Sequence, residues 1–237
     1  LFGQPADYTE LQEVAEEYNL WIMADAAQSF GGKYKNKKVG NVVDITTTSF
    51  FPSKPFAGYG DGGAIFTNDD DLAKILRSLR VHGQGVDKYD NVRIGINGRL
   101  DTLQAAILLE KLSILEEEIR QRNRIAQRYT AGLKDVVSPP IIAPERTSAW
   151  ALYTCILPKT VNRPSLMEAL KQVGIPALIY YPKLLHQQAA YKNYPTASGN
   201  GLPVSEELIC QVLSLPMHPY LSDEVIDYII DAVIAKI

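Results

Sequence analysis

Two β-rich runs that end in reactive side chains constrain the fold of this chain most. Leu20-Trp21-Ile22-Met23-Ala24 reads as a buried strand and runs straight into Asp25, with Gln28 three residues on. Ile45-Thr46-Thr47-Thr48 is β-branched and suits a pleated surface. It leads through Ser49 to Ser53-Lys54-Pro55. Ahead of the first run, Asp7-Tyr8-Thr9-Glu10 forms a capping box for a helix from about Tyr8 to Tyr18. A helix followed by a strand that ends in an acid suggests a chain that opens inside a βαβ layer. There is no initiator Met, and a missing N-terminal part of that layer is expected.

The bulk numbers narrow the classes. With 237 residues the chain is long enough for one large or two small domains, and its 46% hydrophobic content supports a core. Twenty-four basic against 27 acidic residues give a net charge of -3, which does not suggest nucleic-acid binding. No apolar run is long enough to span a bilayer, and no signal peptide opens the chain. Cys155 and Cys210 lack a CxxC partner and read as incidental thiols of a reducing cytoplasm. His82, His186 and His218 are scattered without metal spacing, and no metal site is expected.

Further along, strands are expected at Asp44–Ser49 and Gly63–Thr67, and a helix from Asn68-Asp69-Asp70 to Arg80. His82 to Gly98 reads as a long loop, and such loops are often functional. Asp101-x-x-Gln104 is a second capping box. It opens a helix with Leu103, Ile107, Leu108, Leu112 and Leu115, which continues through the charged stretch Glu116 to Arg128. Prolines 139, 140 and 144 mark a break. Beyond it the reading is a strand Ala151–Leu157, a helix Arg163–Val173 capped by Asn162 and ended by Gly174, and a strand Ala177–Tyr181. Helices Ser205–Leu213 and Ser222–Lys236 follow, each with an N-cap serine. Residues 1–128 are therefore read as the remainder of a large α/β domain, and 129–237 as a smaller α+β domain.

Lys54 stands between Pro52 and Pro55 and beside Gly58-Tyr59-Gly60-Asp61-Gly62-Gly63. An amine held in a partly dry pocket can lose its proton and form a Schiff base with an aldehyde. The spacing Gly58-x-Gly60-x-x-Gly63 matches a dinucleotide fingerprint, but that motif must open a helix and here it precedes a strand. Asp25 alone reads as a turn cap. Paired with Lys54 it reads as the carboxylate that faces the pyridine nitrogen of pyridoxal phosphate and keeps the ring protonated. Ser49 suits either a turn or a phosphate, and Gln28 either solvent or the cofactor's ring oxygen. Tyr180-Tyr181-Pro182-Lys183-Leu184-Leu185-His186 suits either a buried corner or a substrate-facing loop.

Five segments resemble the DegT/DnrJ/EryC1/StrS sugar aminotransferases in order: Asp25-Ala26-Ala27-Gln28-Ser29-Phe30-Gly31, Ser49-Phe50-Phe51-Pro52-Ser53-Lys54, Gly60-Asp61-Gly62-Gly63, Gly95-Ile96-Asn97-Gly98-Arg99-Leu100-Asp101 and Leu215-Pro216-Met217-His218-Pro219. Phe50-Phe51-Pro52-Ser53-Lys54-Pro55 and Asn97-Gly98-Arg99-Leu100-Asp101-Thr102-Leu103-Gln104 look most like members that aminate a UDP-2-acetamido-2-deoxy-3-oxo-glucuronate. The resemblance implies a fold-type-I, aspartate-aminotransferase-like α/β enzyme. Its large-domain sheet is cut short at the N-terminus. It would work as a homodimer with shared sites, with pyridoxal phosphate as cofactor, a UDP-sugar as acceptor and L-glutamate as amino donor. Lys54 would bind the cofactor covalently and move the proton between cofactor and substrate carbons. Asp25 would pair with the pyridine nitrogen, Gln28 support the ring oxygen and Ser49 bind the phosphate. Asn97 would reach the phosphate of the neighbouring subunit's cofactor, and Arg99, Tyr180 and Tyr181 would touch the sugar nucleotide. Tyr180 stands where related enzymes can carry His. Family members also carry a further stretch before Leu1 that supplies a phosphate-binding turn and a ring-stacking aromatic, so this chain alone is expected to be inactive.

Three other readings compete. A family dehydratase carries His at the Schiff-base position, against Lys54 here. A 4-keto-6-deoxy sugar aminotransferase shares the chemistry but not the uronic acid. A non-catalytic regulatory protein of the same fold has no need of both Lys54 and Asp25.

Overall fold

The structure is a computed structural model that describes residues 1–197, 199 and 201–237. The chain divides into two compact units. The first is Leu1–Arg120 with Ile142–Ala151, and the second is Gln121–Ile141 with Leu152–Ile237.

In the first unit, helix α1 (Tyr8–Glu17) is capped by Asp7, whose side chain accepts from the Glu10 N–H. Strand β1 (Met23–Asp25) pairs in parallel with β4 (Ile45–Ser49), and β4 pairs antiparallel with β5 (Gly63–Thr67). The register sets Asp25 opposite Thr47 and Ser49 opposite Gly63. Burial alternates along β1 and β4, so Ala24, Thr46 and Thr48 face inward, while Asp25, Thr47 and Ser49 share the more open face. Leu20–Ile22 were expected in the first strand and lie outside it. β4 starts only at Ile45, opposite Met23, so these three residues have no ladder partner in it.

A small sheet joins β2 (Lys33–Tyr34), β3 (Lys37–Lys38) and β6 (Arg146–Thr147). Helix α2 (Asp70–Leu79) is capped by Asp69, which accepts from the N–H groups of Asp71 and Leu72. The segment from His82 to Gly98 has more order than a plain loop. Bridges Val81–Asn97 and Gln84–Asn91 fold it into an irregular hairpin. Helix α3 (Thr102–Leu133) is continuous over 32 residues. Its first half packs Leu108, Leu115 and Ile119 against Phe50, Phe56 and Ala149 in the core of this unit.

In the second unit, β7 (Tyr153–Ile156) pairs antiparallel with β8 (Val212–Leu215). Helix α4 (Arg163–Gln172) is capped by Asn162 and packs beside α6 (Asp223–Lys236), which is capped by Ser222. Leu166, Leu170, Leu213, Ile226 and Val233 are fully buried here. Two expectations need correction. The helix over Ser205–Leu213 is a short α5 (Pro203–Leu208), started by Pro203 after Leu202, and Val212–Leu213 belong to β8. The strand over Ala177–Tyr181 reduces to a single bridge from Leu178 to Ser214. Among the described residues no helix is long and apolar enough to cross a membrane.

Candidate active site

The parallel pairing of β1 and β4 brings the ends of both strands, Asp25 and Ser49, to the same end of the sheet. Asp25 closes β1. Its Oδ1 accepts from the Ala27 N–H at 3.0 Å, and among the described residues Oδ2 has no hydrogen bond. The chain then turns back, with Ser29 N and Phe30 N donating to Ala26 O, and carries the half-buried Gln28 on that turn. The two strand ends are tied by Ala26 N to Thr47 O at 2.7 Å and by Thr48 Oγ1 to Ala26 O at 3.4 Å.

Ser49 closes β4. Its Oγ accepts from the Phe51 N–H at 3.2 Å, which leaves the hydroxyl proton free to donate. Gly63 lies opposite on the same face, so the cross-strand partner of Ser49 carries no side chain. A Cβ there would fall 2.7 Å from Thr48 O, against backbone that cannot yield.

Lys54 rides on an excursion whose base is pinned at Phe50, where Phe50 N donates to Gly62 O and Gly58 N to Phe50 O, both at 2.8 Å. Phe56 anchors the excursion, 5.5 Å from Phe30 and 5.5 Å from Phe50. Lys54 is half-buried, and among the described residues its ammonium makes no hydrogen bond or ion pair.

Asn97 and Arg99 stand together just before α3. Arg99 Nε donates to Asn97 Oδ1 at 3.1 Å, and both residues are exposed. Tyr180 and Tyr181 belong to the second unit, where their rings meet edge to face at 5.5 Å. Reading the sequence missed the use of Gln104. Instead of turning back to Asp101 as a capping box, its Oε1 accepts from the Tyr59 N–H at 2.8 Å. The glycines on either side of Tyr59 were the available signal.

This donor set suits pyridoxal phosphate. It offers an unpartnered primary amine for the aldehyde and a carboxylate oxygen free for a pyridinium proton. It also offers a hydroxyl proton free for a phosphate, and a bare glycine beside that hydroxyl.

The model of the DegT/DnrJ/EryC1/StrS aminotransferase family matches residues 1–234. A UDP-2-acetamido-2-deoxy-3-oxo-D-glucuronate aminotransferase of Pseudomonas aeruginosa is 46% identical over 222 residues, which are 93% of this chain and 60% of that protein. A pleiotropic regulatory protein of Geobacillus stearothermophilus is 39% identical over 98% of this chain and 62% of its own length. The crystal structure of a family aminotransferase from Brucella abortus superposes with a TM-score of 0.94 at 53% identity, over 99% of this chain and 62% of that one. The chain thus spans about three-fifths of the length of the relatives it matches. The family depends on pyridoxal phosphate (PLP), and the solved structures this chain resembles include PLP- and PMP-bound forms of a protein from Streptococcus pneumoniae. Along nearly its whole length, and with the fold-type-I architecture, this chain belongs to the DegT/DnrJ/EryC1/StrS aminotransferase family.

Proposed function

We propose that the whole protein transfers an amino group from L-glutamate to a keto sugar nucleotide, with a UDP-2-acetamido-2-deoxy-3-oxo-glucuronate as the preferred acceptor. It does so as a cytoplasmic homodimer in the making of surface-polysaccharide sugars. The observation that supports this reading is that Asp25 and Ser49 end paired strands on one face, with Lys54 in the turn that follows Ser49, and that among the described residues the Lys54 amine and Asp25 Oδ2 have no hydrogen-bond partner. The Pseudomonas aeruginosa relative supports the choice of acceptor.

Bound pyridoxal phosphate supplies an aldehyde that captures amines and a ring that withdraws the electron pair released at the substrate carbon. Lys54 would hold the cofactor through its amine and would serve as the base that moves the proton between cofactor and substrate carbons. Asp25 keeps a proton on the pyridine nitrogen. Gln28 donates to the ring oxygen, and Ser49 donates its hydroxyl to the phosphate. Asn97 reaches the phosphate held by the neighbouring subunit, and Arg99, Tyr180 and Tyr181 the sugar nucleotide. Arg99 offers a planar fork for the uronic carboxylate, which a lysine does not reproduce. Residues 1–128 serve as the remainder of the cofactor-binding domain and 129–237 as the small domain.

The regulatory name of the Geobacillus stearothermophilus relative favours a second reading, a non-catalytic protein of the same fold. One assay separates the readings. The whole protein is incubated with pyridoxal phosphate, L-glutamate and either the 3-keto uronic acceptor or a neutral 4-keto-6-deoxy acceptor, and 2-oxoglutarate is measured. Turnover of the uronic acceptor alone is expected, and Arg99→Lys should reduce it far more than any residual neutral turnover. Equal turnover of both acceptors sinks the uronic assignment. No turnover of either favours the regulatory reading.

A further inference from the structure

Four glycines follow Lys54, at positions 58, 60, 62 and 63, and the strand after them rules out a dinucleotide role. None of the four has a left-handed φ, so conformational freedom does not explain them. Proximity does. A Cβ on Gly58 would lie 2.9 Å from Gln104 Oε1, one on Gly60 would lie 3.2 Å from Gln104 Nε2, and one on Gly62 would lie 2.8 Å from Leu100 Cδ1. Bare backbone at these positions lets the start of α3 lie against the turn. Gln104 uses that approach to accept the Tyr59 N–H at 2.8 Å. Among the described residues it is the one side chain that hydrogen-bonds to the backbone between Pro55 and Asp61.

We propose that Gln104 is a positioning residue for Lys54, and this rests on the reading of Lys54 as the residue that binds the cofactor. Residues 51–58 form no regular element. The Gly58 N–H bond to Phe50 O closes their base and Phe56 packs against Phe50, and the chain leaves the turn through the exposed Tyr59. The first turn of α3, with the Gln104 amide set against Gly58 and Gly60, holds that exit. A reacting group displaced by about 1 Å can lose on the order of a hundredfold in rate. Gln104 lies in the first turn of α3 and Arg99 just before that helix, so the same helix start meets the Lys54 turn and follows the Asn97–Arg99 segment.

The test compares whole-protein variants Gln104→Leu, Gln104→Glu and Gly58→Ala. Leucine keeps the bulk and removes the acceptor, whereas glutamate keeps the acceptor. Alanine at 58 pushes the amide aside, and only the flexible end of a side chain has to yield, so the fold survives. The first readout is hydrogen exchange of the peptide covering residues 51–62 in cofactor-free protein. The second is the rate at which pyridoxal phosphate is captured and fixed by borohydride onto Lys54. Gln104→Leu and Gly58→Ala should speed exchange in that peptide and slow capture on the order of tenfold or more, with melting temperatures near wild type, and Gln104→Glu should restore both. Unchanged exchange in Gln104→Leu overturns the clamp. Faster exchange with an unchanged capture rate overturns the positioning role. Wild-type protein that takes no label on Lys54 sinks the cofactor reading beneath it, and the exchange data report the clamp separately.

Discussion

Arg99 Nε donates to Asn97 Oδ1 at 3.1 Å, so two residues proposed for different ligands lean on each other. The bond occupies the Nε edge of the guanidinium and leaves its terminal nitrogens for a carboxylate. Removing Asn97 therefore also frees Arg99 to rotate. The effects of Asn97→Ala and Arg99→Ala on kcat/KM in the whole protein should fall short of additivity by about 1 kcal/mol. Four kcat/KM values complete the cycle. Strictly additive losses would show that the bond does not matter to the site.

The same two residues test sharing between subunits. If Asn97 and Arg99 complete a neighbour's site, mixing inactive Lys54→Ala with the strongly impaired Asn97/Arg99 double variant should raise activity above that of the double variant alone through hybrid dimers. No rise, with subunit exchange verified, contradicts a shared site.

Tyr34, Asp7 and Arg146 predict a dependence of stability on pH. The Tyr34 hydroxyl donates to Asp7 Oδ1 at 2.7 Å, and Arg146 Nη2 bonds Asp7 Oδ2 at 2.6 Å. The Tyr34 bond first, then the Glu10 N–H and the Arg146 charge, lower the Asp7 pKa from its ordinary 3.8. A carboxylate depressed on folding adds stability above its unfolded pKa and loses it as pH falls through the folded value. Urea midpoints should therefore drop below about pH 4, and Asp7→Asn or Tyr34→Phe should flatten that drop. An equal slope in Tyr34→Phe would remove the hydroxyl from the account.

Some of this was legible in the residues and some was not. Asp69, Asn162 and Ser222 announce their helices because a short polar side chain before an apolar period has one use. Thr46, Thr47 and Thr48 announce β4. The Lys33–Lys38 hairpin stayed hidden because its turn places Lys35 at φ 46 and Asn36 at φ 64, and only the asparagine signals left-handed backbone. β8 was lost because Val212-Leu213 extends the apolar run of the preceding helix, and pairing with β7 decides the matter, not local pattern. Of the candidate site, Asp25 and Ser49 were legible as the ends of β1 and β4. The contact of Gln104 with Tyr59 was harder to read, since the two lie 45 residues apart and only the glycines flanking Tyr59 hint at it.

Gly132 sets helix propensity against packing. Alanine is worth about 1 kcal/mol over glycine inside a helix. Here its Cβ would meet Ile230 Cγ2 at 2.8 Å, a branched carbon that cannot swing away. Overpacking costs about 1–3 kcal/mol, so Gly132→Ala should be neutral to destabilising. In an Ile230→Ala background the same change should stabilise by about 1 kcal/mol. Denaturant unfolding of the four forms checks the reversal, and a stabilising Gly132→Ala in the parent would show that α6 yields.

The most direct measurement of the central claim is the site of cofactor attachment. The whole protein is loaded with pyridoxal phosphate, reduced with borohydride and mapped by peptide mass. The account predicts a visible absorbance band and a single reduced adduct on Lys54. Lys54→Ala should lose the band, the adduct and all transamination, since no other residue forms the covalent link. An adduct on another lysine, or turnover by Lys54→Ala, would contradict it.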